Sequence, residues 1–188
     1  MRAYRDVALL PSSQPLLADD LVEFHLARIL LLLRLCGRGN RIAGLTKFAK
    51  LDFFVRYPEF FERARTSTTA TPATTTPADG APARVESSMI RYHYGPWDKR
   101  YYQLLSQLAA TGLVQVLKSG QTYNIELTER GVAYADRLRE DDAFTTLAAQ
   151  MQQVSQVFGG KNGTTLKNLI YETFEAEVAD RPMGKEIR

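Results

Sequence analysis

The chain is poor in the residues that build most active sites. One cysteine, Cys36, and two histidines, His25 and His93, are its whole stock of thiol and imidazole in 188 residues. A zinc site takes about four such ligands, and neither histidine stands at a ligand-like spacing from Cys36, so no metal is expected. A lone cysteine forms no internal disulfide. Its place in the apolar run "LLLRLCG" marks a buried thiol in a reducing, cytoplasmic setting. Neither sign of charge dominates. With 24 Lys and Arg against 21 Asp and Glu, the net charge of +3 permits phosphate contact without demanding it. Long apolar runs are missing too: "LARILLLLRLCG" is broken by Arg28 and Arg34, short of the roughly 20 residues that cross a bilayer. The N-terminal run Val7 to Leu10 stops at Pro11, too soon for the core of an export signal. A soluble chain without membrane association is expected.

Catalytic patterns are equally scarce. "GGKNGTT", Gly159 to Thr165, places its lysine before the last glycine and follows a helical pattern, so it is a helix-to-helix turn rather than a phosphate loop. A Cys–His pair lacks a third group to orient it, and no paired carboxylates stand out. No catalytic residue, cofactor site or metal site is assigned, and a small hydrolase or nuclease has little support.

What is present is helical periodicity interrupted by one unusual segment. "LADDLVEFHLARILLLLRLCG" opens on Asp19 and Asp20 as cap and first-turn acids and runs apolar to Gly37. Leu26, Ile29, Leu30, Leu31, Leu32, Leu33 and Leu35 surround nearly the whole cylinder, so one face needs a cover. Either the C-terminal helices or a second chain supplies it, and a homo-oligomer is one form of the second. A second helix follows over Leu45 to Tyr57, with a break at Tyr57–Pro58 and a short helix to Arg65. Residues 66–83 are Thr, Ala and Pro with one charge, a composition that buries too little to offset its ordering entropy; a flexible insertion is expected. "SSMIRYHYG" reads as extended, and a helix from Pro96 to Ala110 turns Trp97, Tyr101, Leu104, Leu105 and Leu108 to one face. A hairpin around "SGQ" spans Leu113 to Leu127, and Thr128 caps the next helix. Two amphipathic helices, from Ala143 and after "GKNG", complete the chain, with a polar end.

The chain order predicts a mainly α fold with a small β-hairpin wing, a winged helix-turn-helix domain plus C-terminal helices. The parts are an N-terminal helical part (1–65), the insertion (66–83), the recognition-position helix, wing and following helix (84–140), and a C-terminal helical extension (141–188). The outward face of the helix after Pro96 carries Lys99, Tyr102, Gln103, Ser106, Gln107 and Ala110, with Arg100 at the margin. Gln103 and Gln107 suit adenine edges, and Lys99, Arg100 and Lys118 suit phosphates. Three cations are a thin set for a DNA reader. The aromatic excess around them fits a protein-facing patch better, so Tyr92, Tyr94 and Tyr102, with Leu30, Leu31 and Leu35 of the first helix, are candidate protein-interface residues.

The segments "GLTKFAKLDFFVRYPEFFERA", "IRYHYGPWDKRYYQLLSQLAATGLV" and "YNIELTERGVAYADRL" resemble the small middle, or accessory, subunit of ABC three-component systems, the Lamassu-type anti-phage operons of bacteria, over roughly Leu21 to Leu138. "YGPW" before a helix is also similar to winged-helix modules of the SocA-like antitoxin group. The first resemblance implies a non-catalytic subunit that bridges or regulates an SMC or Rad50-like ATPase and an effector, commonly a nuclease, and that aids engagement of double-stranded DNA. It carries over no catalytic residue, and the long Thr/Pro/Ala insertion departs from the pattern. The alternative is a free-standing winged-helix transcriptional regulator or antitoxin.

Overall fold

In the computed structural model, residues 21–68, 89–92 and 95–174 are described. Leu21 leads into helix α1 (Val22–Cys36) without a side-chain cap; the expected cap acids Asp19 and Asp20 lie outside the described residues. Gly37 returns its N–H to the Leu33 carbonyl and ends the helix. Gly39 and Asn40, at φ 61° and 60°, turn the chain through the left-handed region that glycine and asparagine tolerate best. Strand β1 (Arg41–Ala43) follows, then Gly44 at φ 91° and helix α2 (Leu45–Arg56). Tyr57 leaves helical geometry ahead of Pro58, as the break at that pair predicts, and helix α3 (Pro58–Thr68) begins there. It runs three residues past Arg65, and there the Thr66, Ser67 and Thr68 hydroxyls donate back to carbonyls of the preceding turn. The start of the expected flexible insertion is therefore helical; residues 69–83 lie outside the described residues.

Strand β2 (Ile90–Tyr92) pairs antiparallel with strand β3 (Gly95–Trp97), Ile90 opposite Trp97. The helix expected from Pro96 starts only at Tyr101, giving α4 (Tyr101–Ala110). Pro96 and Trp97 are held extended against α2, and the Asp98 carboxylate accepts the Arg100 N–H at 2.9 Å to form the turn between strand and helix. Strands β4 (Val114–Ser119) and β5 (Thr122–Leu127) form the predicted hairpin, turning at Gly120 (φ 58°). β1 adds to its far side in the order β1-β5-β4, all antiparallel, with Ile42 and Val116 flanking Ile125. Helix α5 (Glu129–Glu140) is capped by the Thr128 hydroxyl, which accepts from Gly131 N at 3.0 Å. A 3-10 turn (Asp142–Phe144) leads to α6 (Thr145–Phe158). The "GGKNG" turn then ends on Asn162, whose side chain caps α7 (Gly163–Thr173).

The architecture is mainly helical with one small three-stranded antiparallel sheet, and α1 and α2 lie at its centre. α1 packs against α4, α5 and α6; α2 packs against α3, α6 and α7. Met151, Val154, Phe158, Leu166, Ile170 and Phe174 share one core with Ile29, Leu31 and Phe53, and ring pairs Phe54–Phe158 and Phe60–Phe174 close to 4.5 and 4.7 Å. The C-terminal helices are part of that core, each large side chain contributing roughly 1.5–3 kcal/mol by burial. They also settle what covers α1. Leu30 and Leu31 are buried by this chain's own helices, and Leu35 is half-buried against the same core. Leu30 and Leu31 are thereby withdrawn as interface residues, and the case for a homo-oligomer built on α1 goes with them.

Candidate functional site

The segment "GPWDKRYY" is a clasp that fixes α4. The Lys50 ammonium of α2 donates to the Pro96 carbonyl at 2.9 Å with its side chain fully enclosed. Gly95, at φ 91°, lets the strand approach: a Cβ there would lie against Lys50 and Tyr171 in a backbone conformation that L side chains rarely adopt. Burial, and secondarily the charge of Lys167, pushes the Lys50 amine down to about 7. Trp97 meets Tyr101 edge-on at 5.3 Å and Tyr102 at 5.9 Å.

Asp98 begins a charged network that runs through the interior. It accepts from Arg56 Nη1 at 2.9 Å and from Arg100 Nη2 at 2.8 Å. Asp52, one turn before Arg56 on α2, faces Arg28 Nε of α1 at 3.1 Å and accepts the Tyr101 hydroxyl at 2.6 Å. His25, one turn before Arg28, places its two ring nitrogens 3.2 Å from Arg28 Nη1 and 2.8 Å from Arg100 Nη1. Arginine only donates, so each imidazole tautomer accepts from one of the two. Burial raises a carboxyl pKa, yet at Asp98 the hydrogen bonds from Arg100 and the charge of Arg56 outweigh it and hold the group well below the usual range. Burial first, then Asp52, pushes the Tyr101 phenol well up, so it stays protonated and donates. Burial lowers Arg28, opposed chiefly by Asp52. Arg28, Asp52 and Tyr101 are closed to solvent, so a substrate cannot reach them. Their chemistry is positional: α1, α2 and the start of α4 are locked together in one register.

The locked helix presents the face expected of it. Trp97, Tyr101, Leu104, Leu105 and Leu108 are buried; Lys99, Tyr102, Gln103, Ser106, Gln107 and Ala110 are exposed. Lys118 is exposed on β4, its ammonium 6.0 Å from the Tyr123 ring. Arg100 does not join this face as a free cation, since its guanidinium is engaged by Asp98 and His25. Between α4 and the hairpin lies a groove of about 470 Å³ lined by Leu45, Tyr102, Leu105, Ser106, Ala109, Val116 and Tyr123. Tyr102, 61% exposed, and the exposed Val116 and Tyr123 make it an apolar, aromatic-rimmed surface. Of the remaining candidates, the Tyr92 side chain and all of Tyr94 lie outside the described residues, as does His93.

Sequence reasoning missed Lys50, Asp52, Arg56 and Asp98 as buried groups. The available signal was the charge pattern of "KLDFFVR", where Lys50, Asp52 and Arg56 are interleaved with large apolar residues on every side of a helix. Cys36 is the expected buried thiol, Sγ 3.3 Å from the Met151 carbonyl, pushed up to about 12 by burial. Among the described residues no group of His, Cys, Asp and Glu could hold a metal ion, and no helix is long and apolar enough to cross a membrane. Comparison of the chain with family models, curated proteins and solved structures yields no match.

Proposed function

We propose that the chain is a non-catalytic winged-helix accessory subunit of a Lamassu-type anti-phage complex. It bridges an SMC or Rad50-like ATPase and an effector nuclease and aids their engagement of DNA. In support, α1, β1, α2, α4 and the β4–β5 hairpin follow one another as the helix, strand, helix, helix and hairpin of a winged helix would, with α3 and the β2–β3 pair inserted before α4, and β1 pairs with the second hairpin strand. The observation that carries the docking role is the groove beside α4. Where a DNA reader concentrates cations, this face offers Tyr102, Val116 and Tyr123, and one of its three expected cations, Arg100, is turned to internal partners.

A free-standing DNA-binding regulator is the second reading, favoured by Gln103 and Gln107, exposed one turn apart on α4. A tagged copy expressed from its own operon separates the two. The expected result is co-purification with a neighbouring ATPase bearing a long coiled coil, with the stoichiometry read from the mass of the intact assembly. The isolated chain is expected to bind duplex DNA weakly and without sequence preference, and Lys99→Ala with Lys118→Ala to lower the salt slope by about two. A chain that purifies alone and holds a defined operator in the nanomolar range at physiological salt overturns the accessory-subunit reading.

A further inference from the structure

The groove beside α4 has a shape and charge that define its occupant. Tyr102, Leu105 and Ala109 line its helical wall along two turns, about 10 Å at the rise of an α-helix. The opposite wall is the hairpin face carrying Val116 and Tyr123, with Leu45 of α2 at the base. Residues directly opposite in an antiparallel pair share a face, so Lys118, paired with Tyr123, extends that wall outward. Lys99, exposed in the turn that leads into α4, stands three residues before Tyr102 at the open end of the helical wall. No carboxylate lines the groove. We infer that this groove receives an acidic amphipathic helix of a partner protein, its apolar residues at i, i+4 and i+7 seated between α4 and the hairpin and its flanking carboxylates meeting Lys99 and Lys118.

The occupant follows from three properties of the site. A two-turn apolar trough matches the anchor spacing of a helix laid in a groove. Aromatic side chains exposed around a concavity, with little charge inside it, are the composition of interface centres rather than of phosphate tracks. The cations stand only at the margins, where charge selects a partner and speeds encounter more than it adds affinity. The helical wall is also preformed, because the clasp from Asp98 to Arg56 and from Tyr101 to Asp52 holds α4 in place without the partner. The inference rests on the protein-docking reading above and names its surface and the partner's chemistry.

The test uses the full-length, isotope-labelled chain and three probes: a synthetic helical peptide with leucines at i, i+4 and i+7 flanked by glutamates, the same peptide with lysines in place of glutamates, and a random-sequence DNA duplex. The acidic peptide is expected to shift the amide resonances of Tyr102, Ser106, Ala109, Val116 and Tyr123, and the basic twin to bind about three- to tenfold more weakly. Lys99→Glu with Lys118→Glu, both exposed sites, should reverse that order. Equal binding of the two peptides, no shift at these amides, or displacement of the acidic peptide by the duplex overturns the inference. Loss of the groove result while the operon ATPase still co-purifies moves docking elsewhere on the chain. A seated acidic peptide without co-purification upholds the groove and removes the Lamassu-type assembly.

Discussion

Arg28 Nε and Asp52 Oδ1 stand 3.1 Å apart with both side chains wholly removed from solvent. The contact joins α1 to α2 directly beneath the start of α4, and Tyr101 reaches the same carboxylate from α4 at 2.6 Å. A charge pair in such surroundings adds little net stability over an apolar substitute, because desolvation offsets most of the Coulomb attraction. Its effect is on register: an arrangement that misplaces any of the three helices leaves a charge buried alone.

Asp52→Asn strands Arg28 and should cost about 3–5 kcal/mol in urea unfolding. Arg28→Met, Asp52→Leu and Tyr101→Phe together remove both charges and the phenol, and should cost much less than Asp52→Asn alone. If the combined variant loses as much as its members summed, the three side chains act independently and the register argument fails. The same network makes the fold acid-sensitive. Asp98 has a folded pKa below its ordinary 3.8, so its stabilising effect is complete above that value and is lost as the pH falls further.

Lys50 has the opposite linkage. Its folded pKa of about 7 lies below the ordinary 10.5, so between those values the unfolded chain binds the extra proton and stability rises with pH, by about 1.4 kcal/mol per unit at most. Below 7 both states are protonated, and the cost of burying the ammonium is present in full. Lys50→Met should therefore be more stable than the wild type near pH 6 and should flatten the rise from neutral to alkaline pH. Parallel pH–stability curves for the two proteins would show that Lys50 keeps its charge when folded.

Gly131 sits where α5 meets the hairpin, and a Cβ there would run into the Leu113 carbonyl. Gly131→Ala should cost about 1–3 kcal/mol through overpacking, even though alanine is the better helix former. Thr128→Ala, which removes only the cap hydroxyl, should cost about 1 kcal/mol. Urea midpoints of the two variants give the comparison, and a neutral Gly131→Ala would mean that the helix shifts away from the hairpin freely.

Leu31 is fully buried in the core under the chain's own helices. Leu31→Glu should therefore unfold the protein or lower its stability by about 4 kcal/mol or more, with loss of helical signal in circular dichroism. A variant that stays helical and merely changes its sedimentation behaviour would place Leu31 at a contact between chains instead.

Local chemistry made most elements legible. Thr128 acts as a cap, Gly120 turns the hairpin, and Pro58 starts a helix, because each of these residues satisfies a backbone requirement within a few positions of itself. The exposed and buried faces of α4 also follow from spacing alone. Its first turn did not: Pro96 and Trp97 carry helix-compatible neighbours, yet Lys50, distant in sequence, holds them in a strand. The site was half visible for the same reason. Lys99, Gln103, Gln107 and Lys118 stand where the pattern puts them, whereas Arg100 is indistinguishable in sequence from a surface cation until Asp98 and His25 are brought beside it.

Composition and periodicity alone settled that the chain is mainly helical with a hairpin over β4 and β5 and that α1 requires a cover, since both follow from the order of apolar and polar residues along a helix or strand. Which surface covers α1, and which charges lie inside, were decided by tertiary packing. α6 and α7 return over α1 and α2, while Arg28 of α1, Tyr101 of α4 and Asp98 close around Asp52 and Arg56. The groove is likewise a product of assembly. Tyr102 and Tyr123 lie on different elements, and only the packing of α4 against the hairpin, with the first turn of α4 held by the buried network at Tyr101, makes one surface of them.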